Sequence, residues 1–246
     1  MGFLWSYGID PAGSGGKQPK DFTVDKSKSK RDYHTVCIHG LDERYINAQP
    51  QLKEILRFRD ERMLDVFAYL QNHYFSKYPP SIVHVDSSRD PTFAELLERK
   101  LGESVVNFYQ FTTDSKMRLM LEYLTFLKNG YALPDVDKLY SMQKITAEQR
   151  DIILELKIES TREQMRHGAG GKVLFSDGGK HNDLLHSSAL SLLGISKIQH
   201  HGIANDEDII VSHGSDGPAG KDGDGMAYIQ ERFSKMFPES SIDVTQ

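Results

Sequence analysis

Two aspartates close short apolar runs: Asp10 ends Leu4 to Asp10, and Asp86 ends Ile82 to Asp86. They stand in Tyr7-Gly8-Ile9-Asp10 and Val83-His84-Val85-Asp86. The carboxyl ends of strands are where sites form in open α/β sheets. A carboxylate held there out of water costs free energy unless a cation or hydrogen bonds offset it, so two converging ones suit a divalent ion. The plainer alternative is that either Asp caps a turn. Asp183 is the third acid, in the first turn of a late helix, where it would also complement the helix dipole by about 0.3 to 1 kcal/mol. Three carboxylates on two strands and a helix would hold two Mg²⁺ or Mn²⁺ ions roughly 3.5 to 4 Å apart, an arrangement that hydrolyses phosphodiesters. The acids would stay ionised and the ions would supply the Lewis acidity.

Other features are weaker. Pro11-Ala12-Gly13-Ser14-Gly15-Gly16-Lys17-Gln18 fails as a phosphate-cradling P-loop, because Pro11 replaces the first Gly and Gln18 the Ser or Thr. Lys17, Lys20, Lys26, Lys28, Lys30 and Arg31 form a basic stretch beside the Asp10 strand, and Arg162, Arg166 and Lys172 form a second set ahead of Asp183. Both are placed to reach nucleic-acid phosphates, although charge runs often just face water. The histidines make no HExxH or His-Cys zinc spacing. His181, two residues from Asp183, is retained as a metal or water neighbour.

The elements that must position these groups alternate. Leu4 to Asp10, Phe22 to Asp25 and Tyr33 to His39 read as three strands of a meander. From Gln51 to Phe75, Leu52, Ile55, Leu56, Met63, Val66, Phe67, Leu70 and Tyr74 recur at helical spacing and predict one long amphipathic helix. Ile82 to Asp86 is a strand, Asp90-Pro91 opens a helix to Leu101-Gly102, and Val105 to Phe111 is the next strand. Asp114 is read as the cap of a helix closed by Asn129-Gly130, and Thr146 with Gln149 as a capping box. Thr161 to His167 and Lys172 to Asp177 predict a hairpin, and His181 to Leu193 a last core helix stopping at Gly194. The fold class is α/β, a mixed sheet flanked by helices with an added β-hairpin. Residues 1–200 are read as one domain and 201–246 as an extension, flexible over the Gly- and Asp-rich 213–225, with a short helix near Tyr228 to Met236.

Composition narrows the classes. The 246 residues carry a formal charge of −5 and a single Cys. Cys37 alone permits no intramolecular disulfide or CxxC zinc cluster, and no apolar run approaches the roughly 18 residues of a membrane span. The opening Met1 to Tyr7 lacks the basic region of a signal peptide. Mild acidity argues against a non-specific nucleic-acid coat but leaves a local basic stripe open.

Taken in order, Gly8-Ile9-Asp10-Pro11-Ala12, Lys20-Asp21-Phe22-Thr23-Val24, Val83-His84-Val85-Asp86-Ser87, Phe111-Thr112-Thr113-Asp114-Ser115-Lys116 and Gly179-Lys180-His181-Asn182-Asp183-Leu184-Leu185-His186-Ser187-Ser188-Ala189-Leu190 carry a resemblance. Over about residues 4 to 195 the chain resembles the ribonuclease H-like nuclease domain of viral DNA-packaging terminase large subunits. The resemblance implies a three-strand antiparallel meander plus parallel strands, and an endonuclease cutting double-stranded DNA concatemers with two Mg²⁺ or Mn²⁺ ions. Asp10, Asp86 and Asp183 carry over as the metal-binding triad, and the late hairpin as a neighbour of the active site. Asn182 stands where the family often has a paired acid, which leaves the fourth ligand open, with Asp177 as a substitute. The resemblance further implies an ATPase motor domain, absent from this sequence, portal and small terminase subunit as partners, and action in the host cytoplasm. A Holliday-junction resolvase, which shares Gly-Ile-Asp-Pro, and a catalytically silent DNA-binding module of the same fold are the rival readings.

Overall fold

The first apolar run becomes the middle of a sheet. The computed structural model describes residues 2–11, 33–45, 48–59, 61–88, 91–162, 164–167, 173–176 and 182–203. Strands β1 (Phe3–Asp10), β2 (Tyr33–Asp42), β3 (Gln51–Arg59), β4 (Pro80–Asp86) and β5 (Val106–Tyr109) form one sheet of order β3-β2-β1-β4-β5. β1 and β2 pair antiparallel, as do β2 and β3; β1 and β4 are parallel, as are β4 and β5. This is the mixed sheet expected above, an antiparallel three-strand meander continued by parallel strands.

Strand alternation sends side chains to two separate cores. Tyr7, Ile9, Val36, Ile38, Val83 and Val85 pack with Val66 and Leu70 of α1 (Met63–His73) and Phe93, Ala94 and Leu97 of α2 (Pro91–Leu101). On the opposite face lie α3 (Thr113–Lys128), α4 (Val136–Ser141), α5 (Ala147–Arg162) and α6 (Asp183–Ile203), whose apolar residues cluster with Leu41 and Ile55. The strands β6 (Gln164–His167) and β7 (Val173–Ser176) pair antiparallel as a separate hairpin. No described helix is long and apolar enough to cross a membrane.

The sheet presents small and polar groups to α6. Ser6 Oγ donates to the Ser191 carbonyl at 2.6 Å, and Ser191 Oγ donates back to the Ser6 carbonyl at 2.7 Å. His39 joins them, with Nδ1 3.0 Å from Ser191 Oγ and Nε2 2.7 Å from the Tyr131 hydroxyl. A Cβ on Gly8 would fall 1.9 Å from the Ser187 carbonyl oxygen, so helix backbone rests directly on strand. Burial lowers the His39 imidazole to about 3, which keeps it a neutral hydrogen-bonding group.

Several expectations are corrected. Gln51–Arg59 is a strand, and the helix begins only at Met63. Leu52, Ile55 and Leu56 fit a helical stripe, but antiparallel pairing with β2 decides, placing Leu56 beside Val36 and Ile55 beside Cys37. The meander's third strand is therefore β3. The cap of α3 is Thr112, in a reciprocal box with Ser115, and Asp114 sits in the first turn. Gly194 does not stop α6, which runs on to Ile203; a Cβ there would lie 2.1 Å from Ser6 Oγ. This glycine is required for close packing, not for a cap. Arg162 ends α5 instead of opening the hairpin, and the short α4 was not foreseen. Phe22 to Asp25, the stretch 213–225 and the helix near Tyr228 to Met236 lie outside the described residues.

Candidate functional site

Register brings the first two acids together. Ile9 pairs with Val85 across the parallel β1 and β4, so Asp10 and Asp86 follow side by side at the carboxyl edge, on the face covered by α6. Both are 1% exposed. Asp86 Oδ1 accepts from the Ser88 amide at 2.9 Å and from Ser88 Oγ, so this side chain also caps the turn after β4. Asp10 differs, because neither of its carboxylate oxygens accepts a hydrogen bond from a described residue. His186 stands beside it, with Nδ1 3.4 Å from Asp10 Oδ2.

The third acid arrives on α6. Asp183 is the first residue of that helix and is buried. Its carbonyl accepts from Thr35 Oγ1 at 2.8 Å, and Thr35 is the cross-strand partner of Asp10. The start of α6 is thereby fixed to the strand pair that carries Asp10. His186 lies one helical turn beyond Asp183, on the same helix face. Its ring packs 4.8 Å from that of Phe111.

Asp10 and Asp86 thus share one edge of the sheet, and α6 begins at Asp183 with its backbone tied to Thr35 of the neighbouring strand. As the side chains stand, no three His, Cys, Asp or Glu groups among the described residues gather closely enough to cage an ion. What fits a hard divalent cation is the donor type, carboxylate oxygen throughout, together with the orphaned oxygens of Asp10. His181, Asp177, Lys172 and the basic residues Lys17, Lys20, Lys26, Lys28, Lys30 and Arg31 lie outside the described residues. Arg166 is in β6, in the hairpin that follows α5.

Two residues escaped the sequence reading. His186 had a usable signal, since it stands three positions after Asp183 in a helix. Glu159 had none. It lies on α5, is 4% exposed, and its Oε2 accepts the Leu185 amide at 2.8 Å. Burial raises its carboxyl to about 8, and the nearby Asp183 and Glu155 push the same way, against the Leu185 amide and Arg57. Deeper on this face His84 is buried, and burial, aided by Lys197, lowers its imidazole to about 3.

No family model matches the sequence, and neither does a curated protein. Among solved structures the chain is similar to the large terminase nuclease domain of Thermus phage P74-26, at 18% identity and a TM-score of 0.47, covering 77% of this chain and 78% of that one. It is also similar to the large terminase nuclease domain of bacteriophage SPP1 with bound Mn, at 13% identity and a TM-score of 0.46, covering 78% and 86%. A third is the large terminase nuclease of thermophilic phage G20c with bound cobalt, at 16% identity and a TM-score of 0.47, covering 78% and 81%.

Proposed function

We propose that the chain is a divalent-metal-dependent endonuclease that cleaves double-stranded DNA, the nuclease domain of a terminase-type packaging enzyme. The observation that carries this reading is Asp10, a buried carboxylate whose oxygens accept no hydrogen bond from the described residues, set beside Asp86 and facing the helix that begins with Asp183. Burying a carboxylate without compensation costs several kcal/mol, and a cation bound there offsets it. A divalent ion, Mg²⁺ or Mn²⁺, supplies Lewis acidity toward the scissile phosphate when bound. Asp10, Asp86 and Asp183 hold it, as in the family that the sequence motifs resemble. His186, whose ring packs against Phe111, stands beside Asp10 and orients it. Asp177 and His181 are the further candidates for completing the ligand set.

The basic residues Lys17, Lys20, Lys26, Lys28, Lys30, Arg31, Arg162, Arg166 and Lys172 hold the duplex through its phosphates. In this reading residues 1–200 are the nuclease domain and 201–246 an extension. An ATPase motor domain, a portal and a small terminase subunit are its partners in the host cytoplasm.

The test is plasmid nicking with Mg²⁺ or Mn²⁺, run beside thermal unfolding. The wild type should nick and be stabilised by the ion, by about 2.7 kcal/mol at a hundredfold excess over the dissociation constant. Asp10→Asn should lose both while unfolding no earlier than the metal-free wild type. Undiminished cleavage by Asp10→Asn or Asp183→Asn would sink the assignment.

A further inference from the structure

We propose that Glu159 is a positioning residue of this site, holding the first turn of α6 so that Asp183 faces Asp10 and Asp86; the proposal rests on the nuclease reading above. The first amides of a helix have no partner within it and must be satisfied from outside. In α6 the first intrahelical bond runs from the His186 amide to the Asn182 carbonyl at 2.9 Å. That leaves the Leu185 amide one residue short of a partner. Glu159 supplies it at 2.8 Å, reaching across from α5, 26 residues earlier in the chain.

The place of this bond gives it more than a capping role. Leu184 and Leu185 are buried at 1% and 0% exposure, so this turn cannot turn to solvent for an acceptor. Asp183 is held on its other side by Thr35, whose hydroxyl donates to its carbonyl. Two hooks from two elements, β2 and α5, therefore fix the backbone that carries Asp183. Release of either lets the third acid drift while Asp10 and Asp86 stay in the sheet. Partners that orient metal ligands from behind typically change metal affinity or activity by about 10- to 100-fold when removed.

The contact depends on the length of the side chain and on an acceptor oxygen, which sets the variants. Glu159→Gln keeps both, Glu159→Asp is shorter by one methylene, and Glu159→Leu keeps the volume without the oxygen. On the full chain, Mn²⁺ affinity is measured by calorimetry, exchange protection of the Leu185 amide by NMR without metal, and plasmid cleavage well below each variant's melting temperature. Gln should stay within about threefold of wild type in all three. Asp and Leu should lose Leu185 protection, weaken Mn²⁺ binding by about 10- to 100-fold and lower kcat with the KM for DNA unchanged. Wild-type Mn²⁺ affinity and kcat in the Asp variant would overturn the positioning role even if the Leu variant fails to fold. A wild-type chain that neither binds Mn²⁺ nor cleaves DNA would instead overturn the nuclease reading, and this proposal with it.

Discussion

Gly8→Ala would separate packing from chemistry at this site. The added methyl would lie 1.9 Å from the Ser187 carbonyl oxygen and 2.3 Å from the Ser191 amide nitrogen. Both are helix backbone, so no side chain can swing aside. Restoring an ordinary contact of about 3.4 Å pushes α6 back by about 1.5 Å. Such a shift breaks the paired Ser6 and Ser191 bonds and the His39 contact to Ser191. At about 1 kcal/mol for each of the three, added to about 1 to 3 kcal/mol for overpacking, the loss is about 4 to 6 kcal/mol. That is comparable to the whole stability of many domains, about 5 to 15 kcal/mol. Asp183 begins the same rigid helix and moves with it, and misplacement by about 1 Å can lower catalysis about 100-fold. Urea unfolding followed by circular dichroism, with cleavage measured on the folded fraction, reads both effects. Gly102→Ala is the control: Gly102 has φ +96 with open space around it, so its cost is backbone strain of about 1 to 2 kcal/mol with normal cleavage. If Gly8→Ala unfolds within 1 kcal/mol of wild type, roughly the resolution of such a comparison, the close seating of α6 is refuted.

Acid should weaken the fold through His39 and His84. Their folded values near 3 lie below the ordinary 6.5, so the unfolded chain takes up protons first; their contribution is complete above 6.5 and is lost as pH falls toward 3. Glu159 acts in the opposite sense, since its value near 8 lies above the ordinary 4.5 and its contribution is present below 4.5 and lost by 8. Between pH 6.5 and 5 the two histidines cost about 3 kcal/mol and Glu159 returns about 2, so stability from urea unfolding should fall by a net of about 1 kcal/mol, and by about 3 in Glu159→Gln. Equal midpoints at pH 6.5 and 5 in that variant would count against neutral buried histidines. Thr112→Ala removes the capping box of α3 and should cost about 1 kcal/mol in the same assay.

The parts of the site that chain order alone positions were legible in the sequence. Tyr-Gly-Ile-Asp and Val-His-Val-Asp announce strands ending in acids, and adjacent parallel strands of similar length bring such ends together without further information. The misreadings share a cause, which is that the deciding partner is distant in sequence. Leu52, Ile55 and Leu56 fit a helical period, and only β2 alongside selects the strand, where Ile55 and Leu56 go to opposite faces. Gly194 has the look of a helix stop, yet it is the hollow into which Ser6 fits, 188 positions earlier in the chain. Glu159 reads as one acid among several on an amphipathic helix; its role exists only because α5 passes beneath the first turn of α6. The same logic applies to the three acids. Two of them are fixed by sheet register, whereas the third depends on how α6 is seated, through Gly8, Thr35 and Glu159. If the proposed nuclease reading holds, placement of Asp183, rather than the presence of the acids, is therefore the variable on which metal binding would turn.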